Sequence, residues 1–324
     1  MAYSAYFGIS DRIWVRCLLI AISLGLSYLS YHFIETPIRR RKIWSRPVAM
    51  LWLFLLYAIS SILIGGIYYR YSGFPENWNG LASKFMKSRR ISAYQEKDDV
   101  DLSQQRPRGV TIGASGSKLD FIVWGDSHAR AMIPLLSKLG QDYNKTGLQI
   151  TSSGTPAIFG WAGMSSESAK KWRLLVEEQT RVNPGVTIYL ISRWHSYQEP
   201  QFWEKLRQTL STLNKSGARV VLVEEVPEQP SAPPRLAALA TRFPYLPTPF
   251  STPEAHLRVT SEVKRRLDQI DTSKLLRLDP SPTVFDWGST MGSGEVYYAD
   301  SNHLSISGAM KLEGLFRPLF QHPL

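Results

Sequence analysis

The chain has 324 residues with 38 Lys+Arg against 27 Asp+Glu, a formal net charge of +11. The basic excess is partly one cluster and otherwise dispersed without interleaved aromatics, which argues against a nucleic-acid-binding surface and is compatible with anionic envelope glycans or lipids. A single cysteine, Cys17, excludes a disulfide framework.

Apolar residues concentrate at the start of the chain. From Cys17 to Ile34 runs an uncharged Leu/Ile/Ser-rich stretch, and from Val48 to Tyr69 a second, VAMLWLFLLYAISSILIGGIYY. Each is long enough to cross a bilayer as a helix, so residues 1–70 are expected to form a membrane region with spans at about 15–35 and 48–69. The first run ends in YHFIETPIRRRK and is followed by another span, which fits a signal peptide poorly. Arg39, Arg40, Arg41, Lys42 and Arg46 mark the loop between the spans as cytoplasmic. Arg12 and Arg16 pull weakly the other way. With that topology everything after Tyr69 faces outward. His32 and Glu35, at the cytoplasmic end of the first span, are read as interfacial structural contacts.

Residues 71–118 are polar and broken by Gly73, Pro75, Pro107 and Gly109, which predicts a linker. A regular alternation then fills 119–324. Strands are expected at LDFIVWG (119–125), LQIT (148–151), VTIYLIS (186–192), ARVVLVEEV (218–226) and LLRLD (275–279). Helices are expected over 129–141, 167–181, 200–215, 253–270 and 305–320, with 227–253 as a Pro-rich surface excursion. Such alternation specifies an α/β domain of about five parallel strands covered on both faces.

In such a sheet ligands sit beyond the carboxyl ends of the strands, where strand order reverses. Gly125-Asp126-Ser127-His128 occupies that position after the first strand. A serine there is exposed beside free helix N–H groups, although loops after strands are rich in Gly, Asp and Ser in any case. Just before the last helix stands Asp300-Ser301-Asn302-His303. A serine hydroxyl needs an imidazole as general base and a carboxylate to orient it, and Asp300 and His303 could supply both from one loop. Asp126 is read as capping the helix or bracing the turn, His128 as a packing or hydrogen-bonding residue, and His195 and His256 as surface or loop histidines. The scattered histidines show no metal-ligand spacing, and no phosphate-binding glycine loop is present.

GDSHA near the domain start and DSNHLS near its end resemble the first and last blocks of SGNH hydrolases, in the version fused to membrane acyltransferase-3 proteins. SYLSYHFIETPIRRRK resembles the last shared helix of that membrane family, and the second apolar run the helix that leads to an outer SGNH domain. The resemblance implies a flavodoxin-like three-layer sandwich preceded by two transmembrane helices. It implies Ser127 as nucleophile, His303 as base and acid, and Asp300 as orienting carboxylate. It also implies the N–H groups of Ser127 and Gly154 as oxyanion donors, though a turn glycine at 154 has a plain structural reading too. The family's third block offers an asparagine, whereas this chain has Ser192-Arg193-Trp194-His195 after its third strand. Arg193, Trp194 or nothing replaces that donor.

The resemblance further implies O-acetylation of an envelope polysaccharide or lipopolysaccharide, from a bacterial inner membrane with the domain in the periplasm. No bound cofactor is implied; the acyl group would derive indirectly from acetyl-CoA. Only the tail of the fused family's membrane part is present, so a separately encoded membrane acyltransferase is an expected partner. A stand-alone carbohydrate esterase and an inactive truncated remnant are the alternatives.

Overall fold

The computed structural model describes residues 13–40, 47–70, 80–87, 99–197, 199, 201–241, 243–245, 248–270, 275–292 and 294–321. It divides into two compact units, Met1–Lys87 with Leu236–Pro249, and Ser88–Arg235 with Phe250–Leu324.

The first unit holds α1 (Ile13–Ser30), which continues through a π-helical turn, Tyr31–Glu35, into Thr36–Arg39, then α2 (Pro47–Arg70) and α3 (Gly80–Lys87). Leu24, Leu26 and Phe33 on the first of these, and Trp52, Phe54, Leu56 and Ile62 on α2, expose most of their apolar surface. Several side chains of both helices lie outside the described residues, and among the described residues no helix is long and apolar enough to cross a membrane. Glu35 pairs with Arg39 one turn on, and His32 packs between Tyr28 and Phe33.

The second unit is a three-layer α/β sandwich. Its sheet has six strands in the order β1-β3-β2-β4-β5-β6: β1 (Val110–Gly113), β2 (Phe121–Gly125), β3 (Thr146–Thr151), β4 (Thr187–Ile191), β5 (Arg219–Val223) and β6 (Leu275–Leu278). The five expected strands are all present and mutually parallel. The sixth, β1, runs antiparallel on the edge beside β3 and falls within the segment expected as a linker. Its short VTIG sequence, buried only at Ile112, carries too little alternation to mark a strand.

Period-2 alternation sorts the β2 side chains into two cores. Ile122 and Trp124 join Trp172, Leu175 and Val176 of α5 (Ser166–Val182), Leu206 and Leu210 of α6 (Phe202–Lys215), and Val263 and Leu267 of α8 (Pro253–Asp268). Phe121 and Val123 face Ile133, Leu136 and Leu139 of α4 (Ser127–Asp142) and Phe316 and Phe320 near the C-terminus. Thus α4 and the C-terminal helices cover one face, while α5, α6 and α8 cover the other.

Three further departures from expectation are local. The excursion at 227–253 contains a helix, α7 (Pro233–Ala240). A short helix, α9 (Ser281–Phe285), and a two-stranded ribbon, β7 (Met291–Gly292) with β8 (Glu295–Val296), fill the approach to the last block. The final helix is two, α10 (Ile306–Lys311) and α11 (Glu313–Gln321), parted at Leu312.

Strand β2 lies between β3, reached by the first crossover, and β4, reached by the second, so strand order reverses at its carboxyl end. There Gly125 adopts φ 155°, and a Cβ at this position would stand 1.7 Å from the Ile191 carbonyl oxygen of β4. Neither strand can yield without breaking the ladder. A Gly125→Ala variant is therefore expected to lose about 3 kcal/mol, read as a melting temperature lower by roughly 6–12 °C.

Candidate active site

The helix α4 begins directly after β2, and its start is fixed by Asp126. One carboxylate oxygen of Asp126 accepts the His128 N–H at 2.8 Å as the helix cap. The other accepts the Arg193 N–H and the Tyr197 hydroxyl, each at 2.9 Å. Burial raises the Asp126 pKa against these three hydrogen bonds, which favour the carboxylate. Asp126 thus ties the Ser127 turn to the loop after β4, as a cap and brace.

Ser127 is the first residue of α4, where backbone N–H groups lack intrahelical partners. Its hydroxyl lies 2.8 Å from His303 Nε2, and His303 Nδ1 lies 2.8 Å from Asp300 Oδ2. The remaining Asp300 oxygen accepts the N–H groups of Asn302 and His303, both at 2.8 Å. Burial works to raise the Asp300 pKa, but the His303 hydrogen bond and charge and the two backbone donors outweigh it and hold the group at about 2. The carboxylate fixes the tautomer with a proton on Nδ1, leaving the Nε2 lone pair for the serine proton.

The loop carrying Asp300 and His303 is pinned at its neck. Tyr298 bridges to Leu304, the Ala299 N–H reaches the His303 carbonyl at 2.9 Å, and the buried Tyr298 hydroxyl donates to the Pro227 carbonyl at 2.7 Å. Ser305 caps α10 and donates to the Val296 carbonyl at 2.6 Å. The histidine is therefore set by structure on both sides of it in sequence.

The second strand's loop comes to the same place. The Ser152 N–H donates to the Gly125 carbonyl at 3.1 Å, and a turn from Ser152 closes at Thr155 (3.0 Å) with Gly154 at φ 68°. A Cβ at Gly154 would meet nothing within 4 Å, so glycine serves the backbone conformation there. Among the described residues the exposed Gly154 N–H has no hydrogen-bond acceptor.

Sequence reading missed what braces this turn. Arg130, 3% exposed on α4, donates to Asp99 at 2.7 Å and to the Ser153 hydroxyl at 2.7 Å. Asp99 accepts from the Thr151 hydroxyl at 2.8 Å and from the Ser153 N–H at 2.9 Å. The pair, buried on its Arg130 side, locks the residues on either side of Ser152 to the helix that carries Ser127. Arg130→Met would strand the Asp99 carboxylate and is expected to cost about 3 kcal/mol. Together with a lower melting temperature, acyl-enzyme formation should slow about tenfold, measured by rapid mixing, as the turn loosens.

Neither replacement for the family's asparagine is free. The Arg193 guanidinium bonds Glu228 (Nε to Oε1, 2.7 Å), and its backbone N–H is used by Asp126. Trp194 is fully buried against Phe202 and donates its indole N–H to the Val223 carbonyl at 2.8 Å, so it is a core residue with no donor to spare. Ser192 is buried, and its hydroxyl accepts the Ala157 N–H at 3.0 Å.

Of the two histidines expected at the surface or in loops, His195 stands in the turn after β4 and His256 is buried on a helix. His195 is largely enclosed, with its N–H and its ring both bonded to Glu225 Oε1 at 2.7 and 3.0 Å. Burial works to lower its pKa, but Glu225 and Glu228 raise it overall. His256 is buried on α8, and burial lowers its pKa. The burial of His256 was hidden from the sequence, and the Glu225 partner of His195 lies 30 residues away. His128 is buried with its ring 4.6 Å from that of His303, and burial first, then the charges of His303 and Arg193, holds its pKa well below the ordinary value.

The family model of the SGNH domain fused to AT3 domains matches residues 93–318, more than half of the chain. The chain belongs to this family. The match begins before the β1 strand. The family makes the chain an SGNH-type enzyme, acyl-transferring or hydrolytic. No curated protein matches it. Among solved structures it is similar to the periplasmic domain of a lipopolysaccharide acetyltransferase from Salmonella ser. Paratyphi A, at 14% identity and a TM-score of 0.53 over 76% of this chain and 99% of that one. It also matches a protein from Slackia heliotrinireducens assigned as an SGNH hydrolase, at 15% identity and a TM-score of 0.42 over 62% of this chain and 98% of that one. At such identity the first likeness speaks to the fold of the SGNH domain alone.

Proposed function

We propose that the protein is a membrane-anchored serine O-acyltransferase that places an acetyl group on a sugar of an envelope polysaccharide or lipopolysaccharide through an acyl-enzyme at Ser127. The observation that carries the reading is the relay Ser127–His303–Asp300, with both links at 2.8 Å, at the switch point of an SGNH sheet. As Ser127 Oγ attacks the donor's acyl carbonyl, His303 Nε2 takes its proton and Asp300 stabilises the imidazolium. The N–H groups of Ser127 and Gly154 hold the oxyanion. His303 returns the proton to the leaving group, then removes one from the acceptor hydroxyl, which attacks the acyl-serine. The ester forms on the sugar and Ser127 is restored.

Membrane anchoring rests on the uncharged runs Cys17–Ile34 and Val48–Tyr69, the Arg/Lys cluster between them, and the exposed apolar side chains of α1 and α2. This orientation puts the catalytic domain outside the cytoplasmic membrane, in the periplasm of a Gram-negative cell. The acetyl group would reach it from cytoplasmic acetyl-CoA through a membrane acyltransferase partner.

The test uses the full chain in lipid nanodiscs with p-nitrophenyl acetate as donor and purified O-antigen polysaccharide as acceptor. Ser127-dependent acetyl esters on the glycan, detected by mass spectrometry, are the expected product. Release of acetate with no glycan ester would replace transfer by hydrolysis and make the protein a carbohydrate esterase.

A further inference from the structure

Beside the relay lies a cavity of 170 Å³ whose ionisable lining comes from His128, Arg193, His195, Glu225, Glu228 and His256. It adjoins the reacting groups from two directions. His128 follows the nucleophile and packs its ring on His303, while Arg193 gives its N–H to the Asp126 cap. The function proposed above leaves this cavity without a role.

We propose that the cavity is the acceptor subsite and that it takes one edge of an uncharged sugar, an inference that rests on the acyl-transfer reading. Charge decides against an anionic ligand. The Arg193 guanidinium is held by Glu228 at 2.7 Å, and the His195 ring stands between Glu225 at 3.0 Å and Glu228 at 3.4 Å. Each cationic group is thus matched to a carboxylate, and a uronate or phosphate would face two glutamates. The unused bonding capacity is of the kind a hydroxyl satisfies. Glu225 and His128 both line the cavity, and their Oε2 and Nε2 atoms are buried with no hydrogen-bond partner among the described residues, so a small side-chain turn toward a ligand would satisfy them. A hydroxyl can donate to the carboxylate and exchange a hydrogen bond with a neutral imidazole. Val226, Pro230, Ala255 and Val259 supply an apolar wall for the C–H face of a pyranose. The volume is below the roughly 300 Å³ of pockets that enclose whole ligands, so the sugar enters by an edge and the glycan continues outside.

Saturation-transfer NMR on the full chain in nanodiscs tests this with methyl α-D-mannopyranoside, methyl β-D-galactopyranoside and methyl β-D-glucopyranosiduronate. At least one neutral glycoside should bind saturably and the uronate should not. Glu225→Gln, which replaces an acceptor oxygen by a donor, should weaken binding about tenfold. Val259→Trp, at a position 42% exposed and so tolerant of a large side chain, should block the mouth and abolish binding. Equal or tighter binding of the uronate, neutral binding indifferent to both variants, or no saturable binding would each overturn the proposal. The readout needs no chemistry. Binding without acylation of Ser127 would sink the transferase reading and leave the subsite, whereas glycan acetylation without binding here would do the reverse.

Discussion

Ser127→Ala should abolish the burst of p-nitrophenol from p-nitrophenyl acetate and lower turnover by about 10³–10⁶-fold, and His303→Ala should cost nearly as much. Because the two groups act as one unit, the double variant should be little worse than either single one. The geometry leaves one competitor for the role of base. His128 is adjacent to Ser127 in sequence, but its buried Nε2 makes no hydrogen bond among the described residues, whereas His303 Nε2 is 2.8 Å from the serine hydroxyl. His128→Gln should therefore cost far less than His303→Ala. Equal losses, or a Ser127→Ala variant with wild-type turnover, would remove the relay from the mechanism.

The parts of this site that sequence revealed are those encoded over short distances. LDFIVWG followed by GDSH shows an apolar strand handing directly to a helix, and the turn between them must carry Ser127. Asp three residues before His is close enough for one loop to close the carboxylate on the ring, and it does so at 2.8 Å. The acidic residue before Ser127 reads as a cap for the same reason. Arg130 and Asp99 were hidden because they are 31 residues apart, one on a helix face and the other in a charged patch that looks solvated. His195 and Glu225 are separated by 30 residues and meet only because β4 and β5 are neighbours. The antiparallel edge strand β1 gains its order from pairing with β3, which nothing in VTIG announces. Burial of Trp194 was equally invisible, since an indole after a strand can face either the core or a cleft.

Asp300→Asn is expected to lower turnover by about 10³–10⁴-fold while leaving Ser127 and His303 in place. The reason lies in the carboxylate oxygen that faces away from the histidine. It accepts two backbone N–H groups at 2.8 Å, so the asparagine variant will seat its amide oxygen there and turn its NH₂ toward His303 Nδ1. Two donors cannot share that contact, and the imidazole must place its proton on Nε2, where it can no longer accept from the serine. Asp300→Glu would keep the charge but push the longer side chain against the pinned loop. It should recover only part of the activity.

The pH behaviour separates charge from geometry. A carboxyl held at about 2 in the folded protein, below its ordinary 3.8, favours folding when ionised. Its contribution is present above pH 4 or so and is lost as the pH falls toward 2. Its side chain is 44% exposed, so solvent screening limits the stabilisation to about 1 kcal/mol. The wild-type rate profile should then show no limb from Asp300 between about pH 5 and 9, and acid melting should steepen below pH 4. In Asp300→Asn that steepening should shrink while the rate deficit persists across the neutral range, because the deficit comes from the wrong tautomer and not from a missing titration. A variant whose rate returned to wild type at any pH in that range would overturn the tautomer account, since asparagine would then orient His303 as well as the carboxylate does.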